Sequence, residues 1–377
     1  MDLSNLLVIL EAPLNLHWQN IVMMVIGGLL IYLAIAKDFE PVLLLPIGFG
    51  AILANLPLAG MSADDKGGFL NILYTAGIDP TELFPLFIFI AVGAMTDFGP
   101  LLENPKMALL GAAGQFGIFV TLILALLLKF PLNQAASIGI IGAIDGPTAI
   151  YVSSKIAPEL LGAIAVCAYS YMSLVPIIQP PVMWLMTTDA ERRVRMPYTS
   201  RPVSRIVRIL FPIVVTVVVS LIAPKAAPLI AALMFGNLLR EAGAVESMSN
   251  TAQKELGGLT TLFLGIVIGS TMVGEKFLQP TTLLILVLGL FAFIMDTVGG
   301  ILLGKILYVL SGKKFNPLIG AAGTSAFPMS SRVVHRFVQK IDYENFLLMH
   351  AMGANAAGQL GSVMAGGVVL ALLAGIQ

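Results

Sequence analysis

The residue with the clearest capacity for chemistry is Asp145, an acidic side chain in the middle of the apolar stretch 134–154. An ionisable group inside a membrane segment costs on the order of 2.5–3.5 kcal/mol, so such groups usually mark the path of an ion or a proton. Nearby, Pro147 leaves the carbonyl group of Ala143 without an amide partner, and Gly146 permits unusual backbone angles. The pattern predicts an interrupted helix in which a carboxylate lies beside free carbonyl oxygen atoms.

These oxygen atoms, together with the hydroxyl group of Thr148 one turn away, suit a hard cation such as Na⁺. A structural interpretation is also open. Asp145 precedes a helix predicted over 147–155 with proline at an early position, so it could serve as the N-cap of that helix. The two roles can coexist.

A second apolar stretch, 316–331, lacks an acid but ends at a cation, Arg332. Its neutral oxygen-bearing side chains are Asn316, Thr324, Ser325, Ser330 and Ser331. On an ideal helix Asn316 and Ser325 lie on opposite sides, so both can line one cavity only if glycines such as Gly320 break the helix. The alternative is that the small residues simply pack tightly between helices.

Three further features place polar groups in apolar surroundings. Tyr171 carries a phenol that could ligate an ion, deliver a proton or pack. Asp296 is a second acid in an apolar segment, and nothing near it in sequence fixes its role. Asn355, Gln359 and Ser362 form a polar stripe on the last helix, for which we expect packing first and ion access second.

The sequence lacks the residue patterns of disulfide, zinc and soluble-enzyme sites. The only cysteine, Cys167, lies in an apolar run, so we expect neither a disulfide nor a thiolate metal site. The three histidines are far apart and form no zinc-binding pattern; they are His17, His335 and His350. No nucleophile or cofactor fingerprint of a soluble enzyme is present, so energy must come from an ion gradient, a partner or a bound reactive group.

Composition shows what kind of scaffold positions these residues. The chain has 377 residues, of which 58% are hydrophobic and 11% charged, whereas soluble domains average about 45–50% and about 25%. Since a span needs about 20 apolar residues, this predicts an all-α polytopic membrane protein of about ten to twelve transmembrane segments. Lysine plus arginine (21) equals aspartate plus glutamate (21), so no net charge favours nucleic acid.

The apolar segments number twelve, and the two that carry the candidate residues contain helix breakers. They lie at 20–36, 40–59, 83–102, 107–129, 134–154, 159–186, 206–223, 226–239, 257–273, 280–304, 316–331 and 344–374. We expect 134–154 and 316–331 to be interrupted or re-entrant helices, which in transporters often form a midplane binding site.

Orientation depends on the loop 189–208, which is rich in arginine and therefore expected in the cytoplasm. Its basic residues are Arg192, Arg193, Arg195, Arg201, Arg205 and Arg208. If 134–154 is re-entrant, Asp64 and Asp79 lie outside and Lys106 inside, which suits the positive-inside rule better than a full span. The N-terminal segment 1–19 lacks the basic flank of a signal peptide, and we assign it to the mature protein.

The two halves of the chain resemble each other. IFIAVGAMTDFGPLL at 88–102 matches LGIVIGSTMVGEKFL at 264–278 in outline, and IGFGAILANL at 47–56 matches LMFGNLLREAG at 233–243. We therefore divide the chain into a first membrane repeat, 20–188, and a second, 209–377. A re-entrant first segment leaves an odd number of spans between equivalent positions, which makes the repeats inverted.

At these segments the sequence resembles a known family, the beta subunits of the biotin-dependent, sodium-translocating decarboxylases of bacteria. The similarity rests on GAIDGPTAIYVSSKIAPELLGAIAVCAYSYMSLVPIIQPP at 142–181, NPLIGAAGTSAFPMSSRVV at 316–334 and NFLLMHAMGAN at 345–355. It extends over essentially the whole chain.

The resemblance implies an enzyme activity in the bacterial cytoplasmic membrane. In the family, an alpha carboxyltransferase subunit moves a carboxyl group onto biotin, and the beta subunit decarboxylates carboxybiotin while exporting Na⁺. Biotin is attached to a partner's carrier domain or subunit, and this chain has no Ala-Met-Lys-Met biotinylation signature. A small single-span gamma or delta subunit and several copies of the beta subunit complete the implied complex.

The resemblance also implies roles for individual residues. Asp145 is the implied Na⁺ ligand and coupling group, and Tyr171 acts in proton delivery and ion coordination. The implied Na⁺ site also includes Asn316, Gly320 and Ser325. Arg332 is the candidate for holding the carboxylate of carboxybiotin. Further candidates for the site from the residues themselves are Thr148, Thr324, Asp296 and Asn355.

Two other functions compete with this interpretation. A stand-alone sodium symporter for organic anions could use the same architecture without decarboxylation and without a biotinylated partner. A purely structural membrane subunit would explain neither interrupted helix. The primary acid or acyl-CoA substrate is chosen by the partner and is not predicted from this chain.

Overall fold

The computed structural model describes residues 13–37, 41–79, 81–198 and 203–374. Every secondary-structure element within these ranges is a helix, which confirms the all-α prediction. Residues 1–12 of the predicted N-terminal segment and Arg201 of the arginine-rich loop lie outside the described residues.

The first half of the chain contains twelve described helices. They are α1 (Trp18–Lys37), α2 (Pro41–Ala54), α3 (Phe69–Gly77), α4 (Leu83–Met95), α5 (Gly99–Glu103), α6 (Met107–Ala113), α7 (Phe116–Leu127), α8 (Leu132–Gly139), α9 (Gly146–Ile156), α10 (Leu161–Ser173), α11 (Val175–Met186) and α12 (Asp189–Arg192). Short 3₁₀ turns lie at Ile140–Ala143 and Pro158–Leu160. Because Pro176 has no amide hydrogen, α10 and α11 meet at a bend of 69°.

The second half contains eight described helices. They are α13 (Arg205–Ile222), α14 (Ala227–Ala242), α15 (Glu246–Thr251), α16 (Gly257–Ser270), α17 (Gly274–Phe277), α18 (Pro280–Leu310), α19 (Met329–Gln339) and α20 (Leu348–Ala374). A 3₁₀ turn at Pro224–Ala226, a π-helical turn at Ala252–Leu256 and a 3₁₀ helix at Pro317–Gly323 complete this half.

Among the described residues, five helical segments are long and apolar enough to cross a membrane, and the bent pair α10–α11 makes a sixth if it is one span. The five are Trp18–Lys37, Met107–Leu127, Arg205–Ile222, Pro280–Leu310 and Leu348–Leu373. Two shorter apolar helices, α2 and α4, add to the bundle. All twelve apolar stretches contain helix, but the expected ten to twelve full spans stay a prediction.

The longest helix, α18, extends from one end of the molecule to the other. Its 31 residues span about 46 Å. Near its first residue, Thr282 lines one cleft with Asp64 and Asp79. At its last residue, Leu310 lines another cleft with Lys106 and Tyr198. The acidic loop and the arginine-rich loop therefore lie at opposite ends, and Lys106 lies on the arginine side, as the re-entrant topology predicts.

The first interrupted segment folds back on itself. The side-chain amide of Asn133, at the start of α8, donates to the carbonyl of Ile156, at the end of α9, at 2.9 Å. The chain reverses at Ile144, whose φ of +52° lies in the left-handed region. We call residues 132–156 hairpin 1. Its two ends meet on the acidic side, so the segment is re-entrant.

The second interrupted segment folds back from the other side. Asn316 and Asn345 lie at its two ends, and both bind the backbone carbonyls of Arg192 and Val194. The side-chain amide of Asn316 donates to them at 3.1 and 2.8 Å. That of Asn345 donates to them at 3.4 and 3.1 Å. We call residues 316–345 hairpin 2. Its open end lies beside α12, where Arg195 pairs with Asp342 at 2.7 Å and holds the pKa of that carboxyl below its ordinary value.

Close glycine contacts recur between the two halves. A Cβ added to Gly50 in α2 would lie 2.2 Å from the carbonyl oxygen of Ile266 in α16. A Cβ added to Gly236 in α14 would lie 1.9 Å from the carbonyl oxygen of Ile90 in α4. In the alignment of the halves Gly50 matches Gly236 and Ile90 matches Ile266, so the same contact occurs twice with the halves exchanged. This supports the tandem repeat, whose boundaries and inversion stay predictions.

Candidate functional site

The polar stripe of α20 holds the tip of hairpin 2. Asn355 donates its side-chain amide hydrogen to the carbonyl of Thr324 at 2.6 Å, and Gln359 donates to the carbonyl of Ser325. Thr324 is the extended C-cap residue of the 3₁₀ helix, and Ser325 follows it. The sequence pattern located this stripe but did not assign Gln359 and Ser362 to the site. The i, i+4, i+7 spacing of Asn355, Gln359 and Ser362 places all three on one face of the helix, and this pattern could have indicated their role.

Asp145 lies at the tip of hairpin 1 and is 5% exposed. Its Oδ2 accepts hydrogen bonds from the hydroxyl of Thr148 at 2.6 Å and from that of Ser362 at 2.9 Å. It occupies the N-cap position of α9 in an extended conformation, so the cap position and a polar site coexist. Since Ser362 belongs to α20, one helix contacts the tips of both hairpins.

Gly146 has a different role from the one expected. The left-handed backbone angle falls on Ile144 rather than on Gly146. A Cβ at Gly146 would instead lie 2.3 Å from the ring atoms Cε1 and Cζ of Tyr169. Glycine is thus required by the close approach of a tyrosine ring, and the sequence reasoning missed Tyr169.

Several buried oxygen atoms near the hairpin tips have no donor within the described part of the chain. They include Oδ1 of Asn355 and Oε1 of Gln359, whose nitrogen atoms hold hairpin 2. Buried polar atoms are normally hydrogen-bonded, so each exception calls for an explanation. Neutral amide oxygens facing no donor, together with a carboxylate, form a ligand set that fits a hard cation such as Na⁺.

Hydroxyl groups brace the tip of hairpin 2. The hydroxyl of Ser325 donates to the carbonyl of Gly358 at 3.0 Å, and those of Thr324 and Ser330 lie 2.7 Å apart. Gln179 of α11 donates to the carbonyl of Ala321 at 2.7 Å. Thr324 and Ser325 thus lie at the tip of hairpin 2.

Asn316 does not join them. Its side-chain amide donates to the carbonyls of Arg192 and Val194. Its Oδ1 accepts from the backbone amide of Leu318 at 3.0 Å, so Asn316 caps the 3₁₀ helix at the open end of hairpin 2. The seven residues of that helix separate Asn316 from Ser325 by about 14 Å.

Gly320 allows two backbones to touch. A Cβ on Gly320 would lie 1.9 Å from the carbonyl oxygen of Gly300 in α18, and a Cβ on Gly300 would lie 2.1 Å from that of Gly320. The described contacts give Gly320 a packing role between hairpin 2 and α18.

Tyr171 contacts α18 rather than the Asp145 carboxylate. Its hydroxyl donates to the carbonyl of Leu286 at 2.5 Å, and its ring lies 3.0 Å from the Cβ position of Gly289. On a helix, residues two apart point in different directions, which is why Tyr169 and Tyr171 of α10 reach different neighbours.

Asp296 lies in the middle of α18 and is fully buried. Its Oδ1 accepts from the backbone amide of Gly117 at the start of α7, where the partial positive charge of a helix favours an anion. Its Oδ2 has no hydrogen-bond partner among the described residues. Asp296 therefore fixes α7 against α18.

Arg332 lies on the exposed face of α19. Arg336 and Lys340 follow on the same face at intervals of four residues, and α19 buries Val334 and Val338 on its other side. We call Arg332, Arg336 and Lys340 the basic stripe. Contact with lipid would be costly for such cations, so we expect the stripe to face water or a partner subunit.

Two re-entrant hairpins whose polar tips meet on one helix inside an apolar bundle define a class of multi-pass membrane protein, that of ion-translocating proteins. Residues 19–373 match the family model described as Na⁺-transporting oxaloacetate decarboxylase beta subunit. The chain belongs to this family of membrane decarboxylase subunits.

Relatives agree with this assignment over nearly the whole chain. The oxaloacetate decarboxylase beta chain of Klebsiella pneumoniae is 47% identical, with 98% of this chain and 99% of the relative covered. The glutaconyl-CoA decarboxylase subunit beta of Acidaminococcus fermentans is 52% identical, with 95% and 94% covered. The methylmalonyl-CoA decarboxylase subunit beta of Propionigenium modestum is 50% identical, with 95% and 96% covered. The predicted family is confirmed.

Proposed function

We propose that this chain decarboxylates carboxybiotin presented by a partner subunit and couples that step to Na⁺ export across the bacterial cytoplasmic membrane. The observation that carries the proposal is the bond from Ser362 to Asp145 at 2.9 Å, because α20 thereby connects the tips of hairpins 1 and 2. Family membership supports the decarboxylation.

In this proposal Na⁺ binds between the hairpin tips. Asp145 supplies the charged ligand, and the donor-free oxygens of Asn355 and Gln359 supply neutral ones. Thr148, Thr324 and Ser325 contribute hydroxyl or carbonyl oxygens from the two tips. One carboxylate among neutral oxygens balances a monovalent cation, which suits Na⁺ better than a divalent ion.

Other candidates act around this site. Asn316 and Gly320 position hairpin 2 through its open end and its contact with α18. We assign proton delivery to Tyr171, a role that the family resemblance implies and that a phenol can perform. Asp296 holds α7 in place.

The basic stripe serves the anionic substrate. A guanidinium matches a carboxylate through two parallel hydrogen bonds, so Arg332 holds the carboxylate of carboxybiotin. Arg336 and Lys340 attract that anion from the arginine-rich side toward Arg332. Decarboxylation releases CO₂ and consumes a proton, which removes the negative charge beside the Na⁺ site.

Na⁺ export against the membrane potential requires free energy from decarboxylation. Exporting one charge against 100 mV costs about 2.3 kcal/mol, so decarboxylation must bias the inward-facing and outward-facing states by at least that amount. The proposal includes an alpha carboxyltransferase subunit, a biotin carrier, a small single-span subunit and several copies of this chain. The partner selects the primary acid or acyl-CoA.

The test uses the purified complex in vesicles loaded with buffer and supplied with ²²Na⁺. Asp145→Asn should abolish both Na⁺-stimulated decarboxylation and ²²Na⁺ transport, because the charged ligand is lost. Asp189→Asn removes a carboxylate that pairs with Arg193 at 2.8 Å and is 64% exposed; it is the matched control and should retain both. Persistence of Na⁺-stimulated turnover in Asp145→Asn would refute the proposal, and purification without any biotinylated protein would favour the stand-alone symporter.

A further inference from the structure

Tyr169 is a buried tyrosine that packs against the tip of hairpin 1. It belongs to α10 and is 2% exposed. The ring atom Cζ, which carries the hydroxyl group, lies 2.3 Å from the position that a Cβ of Gly146 would take. The phenol end of the ring is therefore in contact with the backbone of the residue that follows Asp145.

The hydroxyl group of Tyr169 has no hydrogen-bond partner in the part of the chain that the structure describes. The ring itself packs in an apolar cluster that includes Ile150 and Ile268. A buried hydroxyl without a partner is unfavourable, and a phenylalanine would pack equally well without that cost. Packing accounts for the ring but not for the hydroxyl group.

Tyr171 differs in this respect. Its hydroxyl already donates to the carbonyl of Leu286, and its ring is only partly buried. Of these two tyrosines of α10, Tyr169 has the hydroxyl without a described partner and the ring that contacts Gly146.

We propose that the phenol oxygen of Tyr169 is a further ligand of the Na⁺ that binds at Asp145. This inference rests on the proposed function. A phenol stays neutral at physiological pH, so it adds an oxygen ligand without adding charge. The close contact with Gly146 holds the phenol end of the ring beside the residue that follows Asp145.

The test compares Tyr169→Phe with the unmodified complex, because this substitution removes only the hydroxyl group. ²²Na⁺ binding to the complete purified complex should weaken about tenfold, and the Na⁺ concentration for half-maximal decarboxylation should rise by a similar factor. The maximal rate at saturating Na⁺ should stay within about twofold. Stabilisation of the complex against heat by Na⁺ alone should need correspondingly more Na⁺.

Tyr151→Phe is the matched control. Tyr151 is a buried tyrosine of α9 whose ring faces the ammonium of Lys155 at 4.7 Å, and its substitution should leave Na⁺ binding unchanged. Gly146→Ala, which must displace the ring of Tyr169, should weaken Na⁺ binding at least as much as Tyr169→Phe.

The outcomes separate this inference from the proposed function. If Asp145→Asn loses ²²Na⁺ binding while Tyr169→Phe binds Na⁺ like the unmodified complex, Tyr169 has only a packing role and the inference is wrong. If Asp145→Asn itself binds Na⁺ normally, the proposed Na⁺ site is wrong. Weaker binding in Tyr169→Phe with normal binding in Tyr151→Phe supports the ligand role.

Discussion

The hydroxyl group of Ser362 donates to Oδ2 of Asp145 at 2.9 Å and to the carbonyl of Gln359 at 3.0 Å. A hydroxyl has a single hydrogen, so the two acceptors share it. The side chain of Gln359 in turn holds the backbone of Ser325 in hairpin 2. Two hairpins that enter from opposite sides are thereby joined through one turn of α20.

We expect Ser362→Ala to weaken Na⁺ binding. A hydrogen bond to a charged group contributes about 1.5–3 kcal/mol, and its loss makes the ionised carboxylate less favourable. A tenfold change corresponds to about 1.4 kcal/mol, so half-maximal activation should need at least about ten times more Na⁺. Sodium titration of decarboxylation measures this.

Ser154→Ala is the control for that variant. The hydroxyl of Ser154 lies 3.2 Å from Oε1 of Glu82, at the open end of hairpin 1, and it makes no described bond to Asp145. Its removal should leave the Na⁺ titration unchanged. Equal Na⁺ curves for Ser362→Ala and Ser154→Ala would contradict the coupling role of Ser362.

Gly320→Ala should disturb hairpin 2. The added methyl would meet the carbonyl of Gly300 at 1.9 Å, and overpacking of this kind costs about 1–3 kcal/mol. We expect a lower thermal stability of the complex and a loss of most of the decarboxylation rate. Gly28→Ala serves as the control, because nothing lies within 4 Å of its Cβ position. A fully active and stable Gly320→Ala complex would contradict the packing role.

Local sequence signals were enough to find the two hairpins. Gly146 and Pro147 beside an acid, and a run of glycines near Ser325, mark helix interruptions in any context. The sequence also located Asp145, Thr324 and Ser325 within those segments, whereas their position at the hairpin tips is seen only in the structure.

The positions of Asn316 and Tyr169 depend on contacts between segments that are distant in sequence. Whether Asn316 lies at the tip depends on where the 3₁₀ helix begins, and the partners that fix its start are the backbone carbonyls of Arg192 and Val194. The role of Tyr169 depends on which face of α10 packs on Gly146. Neither the contacts of Asn316 nor those of Tyr169 can be obtained from the spacing of residues within one helix.

Arg336→Glu and Lys340→Glu should slow the capture of carboxybiotin. Charges along a cleft raise the rate of encounter with an anionic substrate, and salt screens this effect. We expect kcat/KM to fall several-fold at low salt, kcat to change little, and the difference from the unmodified complex to shrink above about 0.5 M salt.

Lys314→Glu, an exposed lysine outside the basic stripe, should leave kcat/KM unchanged at every salt concentration. A loss of equal size in Lys314→Glu would mean that general surface charge matters rather than the stripe. An unchanged kcat/KM in both stripe variants would contradict the role of Arg336 and Lys340 in attracting the substrate.

The opposite orientation of the hairpins can be measured by cysteine labelling, for which the native Cys167 is a suitable background because it is fully buried. Glu159→Cys places a thiol at the open end of hairpin 1, and Tyr343→Cys places one at the open end of hairpin 2, where Tyr343 is 79% exposed.

A membrane-impermeant maleimide added to intact cells should label Glu159→Cys. Tyr343→Cys should react only after the membrane is permeabilised, since it lies on the arginine-rich side. Denatured samples, in which both thiols react, control for expression. Labelling of both positions from the same side would exclude the inverted arrangement and with it the connection of two opposite access routes at Asp145.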